Sequence, residues 1–296
     1  MPIIMTTVAL KEKEYVTAEI KKHTEKVLSM RDHDGMIPSS IRFGRREPIR
    51  RRDIPRQSMA VMALSFANSL VPSLRIENEI TASLEYVERA LEKEPSVNVL
   101  FARLYLALGC VYAGKDTAEA VANLLQVLSP KLFSYPIAAN LYLRLSRLLP
   151  GALPHVAYVA ETQRYETSLV PRRHRYFDFA DVLLWGKESE PSLAQSEYEY
   201  ILACKTDGVW FADPKTGTPA TSSIAAKFFE VLVSYGDLRL AEALYASLES
   251  RKAKSEYARH ILGDFSDHIL SEPSALQIDD AHSHILVGLC YRYQSL

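Results

Sequence analysis

Gln57 to Leu70 (QSMAVMALSFANSL) is apolar on almost every side of a helix and carries no charge. The next helical stretch, Glu77 to Glu94 (ENEITASLEYVERALEKE), has one apolar stripe and a charged face. A helix with no polar face has to be surrounded by other helices, and a helix with a single stripe is suited to do the surrounding. The same pairing returns along the chain. Phe101 to Tyr112 breaks at Ala113-Gly114-Lys115-Asp116 and gives way to the amphipathic Thr117 to Leu128. Ile137 to Leu149 is followed, across Pro150 to Pro154, by Val156 to Leu169; Phe177 to Trp185 is followed by Ala194 to Cys204. Ala225 to Tyr235 breaks at Gly236-Asp237 and leads to Leu238 to Leu248, and two further segments, Glu256 to Leu270 and Asp279 to Tyr293, complete about twelve or thirteen helices.

Strict apolar/polar alternation over six residues is hard to find, so the fold class is all-α. Turns near residues 72, 114, 151, 187 and 236 set an interval of roughly 36 to 49 residues, the range of helix-pair repeats. Such repeats either open into a superhelix or close into a ring of inner helices wrapped by outer ones. An open spiral with a wet concave face has no place for helices apolar on all sides. The links also alternate short and long, the long ones being Met30 to Pro55 and Lys205 to Pro219, and links beyond about twelve residues in a compact domain are commonly functional. The expectation is one α/α-toroid domain over 1–296, a barrel of about six helical hairpins with loops 31–55 and 205–219 at one end.

The 296 residues carry 35 Lys and Arg against 36 Asp and Glu, a formal charge of −1, which argues against a globally basic nucleic-acid binder. Cys110, Cys204 and Cys290 stand far apart in apolar runs and read as buried thiols of a reducing compartment. The first ten residues lack a basic region and a small-residue cleavage site, and no apolar run approaches the ~18 to 20 residues of a membrane span. A cytoplasmic protein with no membrane contact is expected; the oligomeric state is left open.

The link beginning Lys205-Thr-Asp207-Gly208-Val209-Trp210 and running through a small-residue stretch into Ile224 resembles the outer-to-inner links of α/α-toroid enzymes. Asp34-Gly35-Met36-Ile37-Pro38 opens the first long link in a similar way. Barrels with such links include unsaturated-glucuronyl hydrolases, polysaccharide lyases, terpenoid cyclases and prenyltransferase β-subunits. The resemblance implies a toroid fold with one central cavity, and fold alone does not fix the reaction. Terpenoid cyclases use an Asp-x-Asp-Asp acid; the nearest segment here is Gln277-Ile278-Asp279-Asp280, with Gln277 where the first Asp would stand.

Between Arg31 and Arg56 lie eight arginines and four acids. A guanidinium binds carboxylate or phosphate bidentately, so Arg42, Arg45, Arg46, Arg52 and Arg56 are candidates to hold an anionic substrate. The alternatives are a solvated basic loop or a patch for RNA or a protein partner. A second basic and aromatic cluster, Arg172 to Tyr176, adds His174 and Tyr176, and Trp210 follows an Asp-Gly turn where a large ring suits binding. Asp53 stands before an inner helix, and Asp279, Asp280 and His282 stand at the start of the last one. Their side chains could move protons in hydrolysis or elimination, although Asp at a helix start is also an ordinary cap. His260, Asp264, Asp267 and His268 share one helix face, but a polar outer face accounts for that spacing, and no metal is expected. No Gly-rich phosphate loop, Gly-x-Ser-x-Gly elbow or paired-Cys site is present, so no cofactor is expected. The function expected is an enzyme acting on an anionic small molecule or acidic saccharide by hydrolysis or elimination. A polyene cyclase on the same fold and a non-enzymatic helical-repeat scaffold of the tetratricopeptide type are the alternatives.

Overall fold

A computed structural model describes residues 2–37, 40–43, 48–51, 53–93, 99–128, 136–153, 176–203, 205–206, 210–211, 222–250 and 281–296. Among these there are eleven α-helices: α1 (Pro2–Ser29), α2 (Ile54–Leu70), α3 (Glu77–Leu91), α4 (Val99–Tyr112), α5 (Ala118–Val127), α6 (Pro136–Leu148), α7 (Tyr176–Ser189), α8 (Pro191–Ala203), α9 (Ser222–Tyr235), α10 (Leu238–Ser250) and α11 (Ala281–Ser295). The all-α class holds. The helices expected over 156–169 and 256–270 lie outside the described residues, as does Cys204.

The uncharged stretch becomes α2, and eleven consecutive residues, Gln57 to Ala67, are buried. Its buried serines bond back into the helix: Ser58 Oγ donates to the Ile54 carbonyl at 2.7 Å and Ser65 Oγ to that of Val61 at 2.9 Å. The amphipathic stretch becomes α3, buried only along Ile80, Ser83, Leu84, Val87 and Leu91. The two hairpins built on Gly114 and Gly236 close with the same geometry. Each glycine sits at positive φ, 65° and 80°, where a side chain would be strained. The residue after each donates its N–H back into the helix, Lys115 to the Cys110 carbonyl and Asp237 to that of Leu232, a Schellman closure that satisfies the last carbonyls.

Six helices pack side by side in a repeating order: α2 on α4, α4 on α6, α6 on α7, α7 on α9, α9 on α11, and α11 back on α2. They run parallel, because early residues meet early residues and late meet late. Asn140 bonds Asp181 near the starts of α6 and α7, Gly288 abuts Phe229 midway along α11 and α9, and Phe66 meets Tyr112 and Tyr291 toward the ends of α2, α4 and α11. The others lie against this set: α1 on α11 and α2, α3 on α2 and α4, α5 on α4, α8 on α7, and α10 on α9. A single apolar core runs through the whole set, from Val16 in α1 to Cys290 in α11.

Both long links contain an antiparallel hairpin. β1 (Ser40–Phe43) pairs with β2 (Pro48–Arg51), and β3 (Lys205–Thr206) with β4 (Trp210–Phe211). Neither was expected, since two- and four-residue strands are too short to show alternation. The start of the first link is pinned to the helices. Gly35, at φ 96°, lies so close to the Ala82 carbonyl oxygen that an added Cβ would sit 2.6 Å from it. The Gly35 carbonyl accepts from Ser83 Oγ at 2.9 Å and from Gln57 Nε2 at 3.2 Å, while Gln57 Oε1 accepts the Ile37 N–H.

Candidate active site

Few charged side chains of the six parallel helices are buried, and three of them, Asp181, Lys227 and Glu230, gather at one place, with Arg292 of α11 paired elsewhere. Lys227 of α9 lies between two carboxylates, its Nζ 3.1 Å from Asp181 of α7 and 3.2 Å from Glu230 one turn along α9. All three side chains are at most 4% exposed. Asn140 Nδ2 of α6 donates to Asp181 Oδ1 at 2.8 Å. One turn later on the same helix comes Arg144, whose Nε donates to the Tyr112 hydroxyl at 3.0 Å. Its guanidinium lies over the rings of Tyr291, Phe66 and Tyr112, 4.9, 5.2 and 5.5 Å from their centres. Glu230 and Tyr105 also act electrostatically on this group of residues. Each of the six parallel helices therefore contributes to one cluster: Phe66, Tyr112, Arg144, Asp181, Lys227 and Tyr291 come from α2, α4, α6, α7, α9 and α11 in turn.

Burial alone would lower the Lys227 pKa, but the Asp181 and Glu230 charges raise it above the ordinary lysine range, so the ammonium stays charged. Burial pushes the Tyr291 hydroxyl up, partly opposed by Arg144, and it remains a neutral phenol. Two inaccessible polar atoms in the cluster have no hydrogen-bond partner, Arg144 Nη2 and Asp181 Oδ2. Arg144 as a residue is only partly buried, yet this nitrogen is closed off. The cluster thus leaves one donor and one acceptor unspent, both at atoms closed to solvent.

The residues expected from sequence are distributed differently. Asp53 is the N-cap of α2, its Oδ1 accepting the Arg56 N–H at 3.2 Å, and Arg56 is half-buried in the first turn. His282 is buried in the first turn of α11 and its Nδ1 lies 2.9 Å from His23 Nδ1 of α1. Asp53 and His282 are thus engaged with different neighbours. For Arg42, Tyr176 and Trp210 only the backbone is described: Arg42 is opposite Ile49 in the first hairpin, Tyr176 begins α7, and Trp210 is opposite Thr206. Arg45, Arg46, Arg52, His174, Asp279 and Asp280 lie outside the described residues, as do His260, Asp264, Asp267 and His268. Among the described residues, no group of three His, Cys, Asp or Glu could hold a metal ion. No helix among them is long and apolar enough to cross a membrane. Cys110 and Cys290 are buried thiols, as expected.

A separate cavity of about 320 Å³ lies among α3, α4 and α5, lined by Glu88, Glu92, Glu119, Arg103 and Asn123. Its three carboxylates suit an anion poorly. Asn140, Arg144, Asp181, Lys227 and Glu230 were not picked out from sequence. The signal was available, since a lysine and a glutamate three apart in SSIAAKFFEVLV are the only charges of an otherwise apolar helix. No protein-family model matches the chain, and no curated protein matches it in sequence.

Proposed function

We propose that the chain is a single-domain α/α-toroid enzyme whose centre takes an anionic small molecule or acidic saccharide and cleaves it by hydrolysis or elimination. The return of α11 onto α2 supports a closed ring over an open spiral, whose first and last helix pairs would lie apart. The observation that carries the proposal is the unspent donor Arg144 Nη2 and the unspent acceptor Asp181 Oδ2 in one charged cluster to which all six helices contribute. Buried polar groups nearly always find partners, and a carboxylate-bearing, hydroxyl-bearing ligand would supply both.

In this scheme Arg144 holds the substrate carboxylate. A guanidinium there makes the proton on the neighbouring carbon easier to remove, because it stabilises the charge that develops on the carboxylate. Asp181 or Glu230 takes a proton, and the fixed ammonium of Lys227 keeps that pair from accumulating uncompensated charge. The same two carboxylates, held by one ammonium, would serve as the acid and base or nucleophile of a hydrolysis. A polyene cyclase needs an aromatic pocket for its own cations; here the place among Phe66, Tyr112 and Tyr291 is taken by Arg144, which favours the anionic substrate.

Titration of the protein with a panel of glucuronate- and galacturonate-containing oligosaccharides, followed by calorimetry and product analysis, tests the proposal. Arg144→Met is expected to weaken binding. Asp181→Asn is expected to lower turnover by about a hundredfold or more. Absence of binding by every acidic saccharide, or binding unchanged in Arg144→Met, would contradict it.

A further inference from the structure

We propose that Glu19, Tyr245, His23 and His282 form a proton relay joining a buried imidazole at the start of α11 to a carboxylate at the protein surface. The four residues come from α1, α10 and α11 and are separate from the Arg144–Lys227 cluster, so the relay stands independently of the reaction proposed above.

The contacts form an unbroken line. His282 Nδ1 lies 2.9 Å from His23 Nδ1, His23 Nε2 lies 2.9 Å from the Tyr245 hydroxyl, and that hydroxyl bonds Glu19 Oε2. His23 and His282 are buried, while the Glu19 side chain is 17% exposed and reaches solvent. The directions of the bonds follow from which groups carry hydrogens. A carboxylate has none to give, so the Tyr245 O–H donates to Glu19. Lys22 Nζ, 3.2 Å from the same hydroxyl, can only donate. The Tyr245 oxygen has one hydrogen and that is spent, so His23 Nε2 must also donate to it. Neutral His23 then has a bare Nδ1, and His282 must present Nδ1–H to it. All three hydrogens point from His282 toward Glu19.

The remaining charged and titratable neighbours hold this arrangement in place. Lys22 also bonds Glu19 at 2.9 Å and Glu249 at 3.0 Å, so the surface end is a carboxylate pair around one ammonium. Glu249 is 3.9 Å from His23 Nε2, too long for a hydrogen bond that would compete with Tyr245. His284, two residues beyond His282, is buried as well. Burial, followed by the Glu19 bond and the Glu249 charge, pushes the Tyr245 hydroxyl up, so it stays protonated at rest.

A proton arriving at His282 Nε2, from water or from a bound acid, forms a new N–H there. The Nδ1–H of His282 then breaks and its proton passes to His23 Nδ1. The Nε2–H of His23 breaks and its proton passes to the Tyr245 oxygen, whose own proton moves to Glu19. The net result is one proton moved from the buried end to a surface carboxylate, with every ring neutral before and after. Running the steps backward returns a proton from His23 to His282 Nδ1 and releases the one on Nε2, so a group held at Nε2 can be relieved of a proton and later given it back.

Two measurements on the intact chain test the relay. Long-range ¹H–¹⁵N correlation of the histidine rings near neutral pH should show His23 protonated at Nε2 and His282 at Nδ1; the opposite tautomer at either ring would overturn the proposal. This needs no substitution and is unaffected by any loss of folding. Glu19→Gln keeps an oxygen to accept the Tyr245 hydrogen bond but has no basic site for the proton. Exchange of the His282 ring N–H with solvent should slow by about tenfold or more in that variant, a small part of what a positioned acid–base group contributes. A purely structural network would loosen, and the exchange would be unchanged or faster, which would refute the relay.

Discussion

Replacing Lys227 with methionine removes one charge while keeping most of the side chain's length, and so isolates what the ammonium does among the six parallel helices. Asp181 and Glu230 would be left buried, at 0% and 2% exposure, with their shared counter-ion gone. Breaking a buried pair in this way costs about 3 to 5 kcal/mol, because the stranded charge keeps its desolvation penalty. That is a large part of the about 5 to 15 kcal/mol that holds a typical domain together. Urea denaturation should show a loss of this size with an unchanged slope. A Lys227→Met, Asp181→Asn, Glu230→Gln triple variant should recover most of it, since no charge is then stranded. The sign with pH follows from the raised Lys227 pKa. Its contribution is complete below the ordinary lysine value of about 10.4 and is lost as pH climbs through the higher folded value, so the gap between wild type and Lys227→Met narrows only above that point. A cost below about 1 kcal/mol for Lys227→Met, the worth of a surface pair, would refute the claim that these charges sit in a dry interior.

Gly288→Ala should destabilise the chain by about 1 to 3 kcal/mol, the usual cost of overpacking, because the added Cβ would fall 2.6 Å from Phe229 Cδ1 and 3.3 Å from Glu230 Cα where α11 meets α9; thermal melting checks it. Asp53→Ala should cost about 1 kcal/mol through the lost cap of α2, while Asp53→Ser, another good cap, should restore stability; turnover lost in both variants with stability restored in Asp53→Ser would assign Asp53 a chemical role as well. Burial pushes the Cys110 thiol up to about 11, so alkylation at pH 8 should be slow until denaturant is added, as followed by mass spectrometry. Phe66→Ala should cost about 3 to 5 kcal/mol, since this ring is 1% exposed and stacks on Tyr112 with centres 4.4 Å apart.

The paired helices were legible because a helix apolar on nearly every side can only be enclosed, and α2, α4 and α9, with one or two charges each, follow that rule closely. The turns were legible because Gly114 and Gly236 adopt a backbone that other residues resist. The 28-residue α1 was not read as a helix, although Val16, Ile20, His23 and Val27 recur at its period and are all buried. Its remaining face is so polar that the stripe is thin. The charged cluster was missed for a different reason. Density of charge makes the arginines of the long links conspicuous, whereas the informative charges are isolated ones inside apolar helices: Asp181, Lys227 and Glu230. A charge survives in such a place only with a partner on another helix, and that partner cannot be named until the helices are placed side by side. His282 is conspicuous in the sequence as a possible proton carrier, but its partner His23 on α1 lies 259 residues away and gives no local sign.

Small-angle X-ray scattering of the full chain tests the ring on which the proposed chemistry depends. Six parallel helices with α11 packed on α2 give a compact particle, with a radius of gyration near the about 19 Å expected for a folded chain of this length. A distinctly larger radius with the long-tailed distance distribution of an open superhelix would contradict it.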